Sequence, residues 1–201
     1  MRQGGVMDTD SWDNGTRLLH WGLAVMISFQ IFSGLLVATP GTLVYFYVHE
    51  WGGLATTVVI ALNWFWSYAN YDLALLFPWN DAGMADVVAE LQKLRCGRLP
   101  RPGRVRGLSS FGHGLGLLAV TGMAVTGTLI YVVIPGGLGA LAHSRHYMAF
   151  TDLVRLHKVI AGLVWVYWVG HVGFAFLHQV HGGRVFGGIF GRGPARSGHA
   201  R

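Results

Sequence analysis

Charge is what this sequence lacks most. Only 12% of its 201 residues are Asp, Glu, Lys or Arg, about half the share a water-soluble domain carries. With 52% hydrophobic residues and a mean hydropathy of +0.43, the chain has too little polar material to stand as a soluble fold, so the bilayer is its expected solvent. Cysteine is nearly missing as well: the single Cys96 excludes an internal disulfide. There is no phosphate-cradling glycine loop, no Ser/His/Asp arrangement and no polar stretch large enough for a soluble catalytic domain, which leaves hydride transfer and hydrolysis without machinery. The first 16 residues are polar and hold Asp8, Asp10 and Asp13, so the first apolar segment is expected to act as its own insertion signal rather than as a cleaved leader.

What is present is a series of long apolar segments. They predict an all-α membrane protein, a bundle of four transmembrane helices over residues 17–38, 43–69, 108–134 and 151–178. Pro40-Gly41 and Pro135-Gly136-Gly137 punctuate the first and third. Trp64, Trp66, Tyr68 and Tyr71 suit an interfacial belt at the end of the second. The longest polar stretch, 72–107, includes a short amphipathic surface helix expected over 82–94, with Val87, Val88, Leu91 and Leu94 on one side. Residues 1–15 form a polar lead, 16–181 the membrane domain, and 182–201 a Gly/Arg-rich tail expected to be disordered.

The net charge of +6 is informative through its placement. Of the 15 Lys and Arg residues, twelve fall in the N-terminal segment, the 72–107 loop and the tail; only Arg145, Arg155 and Lys158 fall on the other side. That asymmetry reads as topology, not as nucleic-acid binding, and predicts a multi-pass membrane protein with both termini in the cytoplasm.

Ten histidines must be placed on that frame. His157 and His171 are 14 residues apart in the fourth segment, just under four helical turns, so both leave one face about 21 Å apart along the axis. His20 lies one turn into the first segment, at the cytoplasmic depth of His171. His49 enters with the second segment from the outer side, at the depth of His157. Two depth-matched pairs of imidazoles are what two bis-His haems require, one near each surface, with no open iron position for oxygen chemistry. With a lone cysteine there is no C-x-x-C-H attachment, so any haem would be held by ligation and packing. Gly34 and Gly127 stand 14 residues after His20 and His113, and Asn63 stands 14 after His49. The two glycines leave gaps in which a flat macrocycle or a closely packed helix fits. Arg17, Arg155 and Lys158 are placed either to pair with haem propionates or to anchor the interface. His113 opens the third segment at the depth of His20 and His171, where it serves as an alternative ligand, a propionate partner or a quinone contact. His143 and His146 lie in an outer loop, His178 and His181 at the cytoplasmic end of the fourth segment, and His199 in the tail.

These residues resemble the bacterial four-helix, di-haem b-type cytochromes of the cytochrome b561 and nickel–iron-hydrogenase b-subunit type. The resemblance is carried by Arg17-Leu-Leu-His20-Trp21, by His49-x-x-x-Gly53, by Thr126-Gly127, and by Leu156-His157 followed by Gly170-His171 and Leu177-His178. It covers roughly residues 16–181. It implies that His20 and His49 each share a haem with one histidine of the fourth segment. Glu50-Trp51-Gly52 departs from the basic or small residues usual after the second-segment histidine, which alters the electrostatics of the outer site.

The expected function is electron transfer between a redox partner and quinone or a second carrier. The partner classes are a dehydrogenase, a hydrogenase or a c-type cytochrome, beside the surrounding lipid. The basic 93–106 stretch meets that partner or anionic lipid, or serves topology alone. Two other functions compete. Some members of that family resemble superoxide:quinone oxidoreductases that act alone, for which Arg145, Arg155 and Lys158 would be the steering patch. A transporter or scaffold would instead use its histidines for protons or metal.

Overall fold

The structure, a computed structural model, describes residues 13–37, 43–70, 73–97, 107–133 and 147–181. The polar lead before residue 13, Pro40-Gly41, the arginines at 98–106, Pro135 to Gly137, His143, Arg145, His146 and the tail from 182 lie outside the described residues. Every described element is helical: α1 (Asn14–Val37), α2 (Leu43–Ala69), the single turn α3 (Leu73–Leu76), α4 (Asp81–Arg95), α5 (Leu108–Val133) and α6 (Tyr147–Val180).

Three of the helices, α1, α5 and α6, are long and apolar enough to cross a membrane. At about 1.5 Å per residue their 24, 26 and 34 residues exceed a hydrocarbon core of about 30 Å. The 27-residue α2 is as long but less apolar, because His49, Glu50, Asn63 and its Trp and Tyr residues lower its hydropathy. It nevertheless packs between α1 and α5. Its close approaches run antiparallel to both: Gly22 meets Val59 and Gly34 meets His49, while Trp64 reaches Thr121 and Trp51 meets Tyr131. Since α6 runs antiparallel to α5 and α1, the four long helices alternate in direction around one bundle. The end carrying the start of α1 and the end of α6 is called here the terminal end, and the opposite one the hairpin end.

Helix starts explain the boundaries. α1 begins three residues before the expected 17 because Asp13 caps it, accepting from Thr16 N at 3.0 Å. α4 is capped by Asn80, whose Oδ1 accepts from Gly83 N at 2.8 Å. α5 is started by a group from another helix: Glu90 Oε2 on α4 accepts from Leu108 N at 2.8 Å. The carboxylate sits where a Cβ on Gly107 would be, and Gly107 has φ +76°, so both space and backbone demand glycine there. The stretch after α2 is less polar than expected: Phe77 stacks on Trp64 with ring centres 5.7 Å apart, and the Leu76 carbonyl lies against Gly114 of α5.

Packing is that of a membrane bundle. Large apolar side chains cover the outside, with Leu18, Phe65 and Val166 more than two-thirds exposed. The buried set is small and includes Ser33, Thr56, Ser67, Ser110 and Thr126. In lipid there is no hydrophobic gain from bringing helices together, so small residues that permit contact and interhelical hydrogen bonds carry the association. The apolar core of Ile31, Ile60, Leu117, Val120 and Val164 occupies the middle of the bundle, flanked by Trp64, Trp165 and Trp168. The α1–α6 seam is closed by side chains: Phe32 meets Trp165 and Trp168 edge-on at 5.8 and 5.7 Å.

Candidate functional site

The histidines gather at both ends of this bundle. At the hairpin end, His49 of α2 and His157 of α6 face each other with ring centres 6.5 Å apart. At the terminal end, His20 of α1 and His171 of α6 stand 6.2 Å apart. Val164, midway between His157 and His171 on α6, belongs to the core that separates the two ends.

These separations test whether haem iron fits. An axial nitrogen sits about 2 Å from a metal, and the ring centre about 1 Å behind it, so two imidazoles on one iron need about 6 Å between centres. Both pairs meet that requirement. His113 does not meet it with His171: their centres are 4.9 Å apart with rings at 88°. His113 also donates Nδ1–H to Ser109 O at 2.7 Å, as its own helix's first turn requires.

Each ring at the hairpin end is held by a hydroxyl from the neighbouring helix. His157 Nδ1 lies 2.7 Å from Thr126 Oγ1, and His49 Nδ1 lies 3.0 Å from Ser33 Oγ. Each hydroxyl also has a carbonyl of its own helix within reach, Gly122 O at 2.8 Å from Thr126 Oγ1 and Gln30 O at 3.3 Å from Ser33 Oγ. In the tautomer with the proton on Nδ1, each hydroxyl accepts from its imidazole while donating to that carbonyl, and the Nε2 lone pair is left for a metal. Beside each hydroxyl is a glycine: a Cβ on Gly34 would stand 3.3 Å from His49 Cε1, and one on Gly127 3.4 Å from His157 Cε1. A Cβ would crowd the His49 ring and just touch the His157 ring.

At the terminal end, Tyr167 stacks on His171 with centres 5.5 Å apart at 28°. The Tyr167 ring in turn fills the space over Gly116, where a Cβ would overlap it. Trp21 meets His20 edge-on at 6.1 Å. Arg17 lies half-buried one turn before His20 and reaches Asn14 Oδ1 at 3.4 Å. Arg155 is 75% exposed and paired with Asp152 at 3.5 Å, a geometry typical of a weak surface pair. His181 donates to Leu177 O at 2.9 Å, in line with an interfacial helix end.

The family model described as prokaryotic cytochrome b561 matches residues 11–191, spanning all four long helices and both histidine pairs. The chain belongs to the prokaryotic cytochrome b561 family. No curated protein and no solved structure matches it. As a prokaryotic cytochrome b561 it is a membrane-embedded b-type cytochrome of electron transfer, and b-type haem is its cofactor.

Of these hydroxyls the sequence marks only Thr126, in the Thr126-Gly127 pair, although a signal for the others exists. In both α1 and α5 a histidine is followed by a hydroxyl residue 8 positions on, another 13 on, and glycine 14 on: His20, Ser28, Ser33, Gly34 and His113, Thr121, Thr126, Gly127. The hydroxyls at 13 serve His49 and His157. Those at 8 accept the indole N–H of Trp168 and Trp64, at 3.0 and 2.9 Å.

Proposed function

We infer that this cytochrome holds two b haems, one at each end of a four-span bundle, and carries electrons across the inner membrane. His49 and His157 would hold the haem at the hairpin end, and His20 and His171 the one at the terminal end. The observation that supports this reading best is the pair of ring separations, 6.5 and 6.2 Å, both suited to one iron between two imidazoles. Each haem supplies a one-electron couple whose potential depends on its ligands and on burial.

The chain's own residues bind, orient and insulate. Ser33 and Thr126 aim the hairpin-end imidazoles, and Tyr167 packs the His171 ring. Ile31, Val120 and Val164 keep water out of the middle. Arg17 is the first choice for a propionate partner at the terminal end, while Arg155, already paired with Asp152, is the choice at the other. The lysine and arginine distribution supports a cytoplasmic position for the termini and the terminal end. Electrons pass between a dehydrogenase, hydrogenase or c-type cytochrome and quinone or a second carrier. His113, with Nδ1–H committed to Ser109, offers Nε2 as an acceptor to a quinol hydroxyl near the terminal-end haem.

The test is a dithionite-reduced-minus-oxidised spectrum with pyridine haemochrome stoichiometry. Two haems per chain are expected, with one lost or turned high-spin in each of His20→Ala, His49→Ala, His157→Ala and His171→Ala. A protein without haem despite adequate supply would overturn the reading.

A second reading rests on the exposure of Arg155 and Lys158 beside His157. An outer cationic patch steers small anions, as a superoxide:quinone oxidoreductase acting alone would need. Reduction by superoxide that slows steeply with ionic strength supports it; inertness towards superoxide removes it.

A further inference from the structure

The hairpin-end site is made twice by the same local device. On α1 it is Ser33-Gly34 against His49; on α5 it is Thr126-Gly127 against His157. An imidazole that holds iron through Nε2 keeps its proton on Nδ1, so in each copy the hydroxyl accepts from the imidazole of the next helix and donates to a carbonyl on its own. Both hydroxyl residues are buried, at 6% and 4% exposure, so no water stands ready to take over the bond. Such a bond does more than satisfy a polar group. An acceptor on Nδ1–H fixes the tautomer and the ring orientation and raises the basicity of the nitrogen that binds metal. The terminal-end ring His171 is packed instead by Tyr167 stacking at 5.5 Å.

We propose that Ser33 and Thr126 are positioning residues that act through His49 and His157 to hold the potential of the hairpin-end haem below the value bare imidazoles would give it. The proposal rests on the di-haem reading above. The sign follows from basicity: a more electron-donating imidazole favours oxidised iron, so removing the acceptor favours reduced iron.

The experiment is a potentiometric titration of the purified full-length protein, with low-spin electron paramagnetic resonance of the oxidised form. Thr126→Val removes the acceptor at nearly constant shape, Ser33→Ala does so in the other copy, and Thr126→Ser is the conservative control. Thr126→Val and Ser33→Ala should each raise one midpoint, by up to about tenfold in the reduction equilibrium, equivalent to 59 mV for a one-electron couple. The haem that moves should be the one missing in His49→Ala, its g-values should shift, and the other haem should stay put. Thr126→Ser should match wild type. If Thr126→Val sheds haem, recovery in Thr126→Ser supports the positioning role, and failure to recover refutes it. Two retained haems with unmoved midpoints and g-values in both variants refute it as well. A wild-type protein without haem would bring down the underlying reading instead.

Discussion

Trp168 on α6 donates its indole N–H to Ser28 Oγ on α1 at 3.0 Å, and Trp64 on α2 does the same to Thr121 Oγ1 on α5 at 2.9 Å. In both cases the hydroxyl passes its own hydrogen back one turn, Ser28 to Ala24 O at 2.7 Å and Thr121 to Leu117 O at 2.6 Å. Two pairs of antiparallel helices are thus tied by one repeated device, and the tie from Trp168 closes the α1–α6 seam.

Removing that tie from its two ends should have unequal effects. Trp168→Phe leaves Ser28 still donating to Ala24, whereas Ser28→Ala leaves a part-buried N–H without its acceptor. Buried orphans cost about 1–3 kcal/mol, while interhelical bonds in lipid average about 0.6 kcal/mol. A double-mutant cycle followed by thermal unfolding in detergent should therefore return a positive coupling of about 0.6–1 kcal/mol. Zero coupling would show that the bond adds nothing in the membrane.

His113 separates ligand geometry from mere proximity. It is the nearer neighbour of His171, at 4.9 Å, yet an iron between two imidazoles needs about 6 Å. His113→Ala should keep two haems by pyridine haemochrome, while His171→Ala should keep one. Loss of a haem in His113→Ala would transfer the axial role from His20 to His113.

Gly116→Ala probes the α5–α6 contact. Its Cβ would overlap the Tyr167 ring, and overpacking of this kind costs about 1–3 kcal/mol. Because Tyr167 stacks on His171, the change should shift the absorption of the haem lost in His171→Ala and leave the haem lost in His49→Ala untouched. Gly112→Ala, with nothing within 4 Å of its new Cβ, is the matched control.

Asp13 supplies a pH dependence outside the membrane. Hydrogen bonds from the Thr16 side chain and backbone N–H hold its carboxyl below the ordinary value of 3.8. A depressed folded value means that the cap's charge-dependent contribution is complete above about pH 4 and fades as pH falls through the lower folded value. Asp13→Ala should cost about 0.5–1 kcal/mol at neutral pH, with exposure to solvent keeping the electrostatic part small. The gap in Tm between wild type and Asp13→Ala should narrow on acidification; a gap that stays constant down to pH 2 would deny the carboxylate its part.

Much of this was written locally. The 14 residues between His157 and His171 place both rings on one face at opposite ends of any straight helix, whatever packs against it. Apolar length and the absence of charge marked the long helices, and the bounds of α2 coincide with the segment expected from sequence, 43–69. The family was legible too, in Arg17-Leu-Leu-His20-Trp21 and the paired histidines, because ligand spacing on a helix is a covalent property of the chain.

What periodicity does not contain is the rotation and axial offset of one helix against another. His20 and His113 have equivalent places in their own helices, and only packing puts one at 6.2 Å from His171 and the other at 4.9 Å. The same holds for Ser33, in sequence one more small polar residue among many, and for Thr126, whose Thr-Gly motif does not say which ring it meets. They become imidazole acceptors because Gly34 and Gly127 let the neighbouring ring approach. The chain by itself determined which faces carry the histidines, since backbone geometry repeats every 3.6 residues. Only the tertiary structure decided which faces meet, since that depends on which side chains leave room for others.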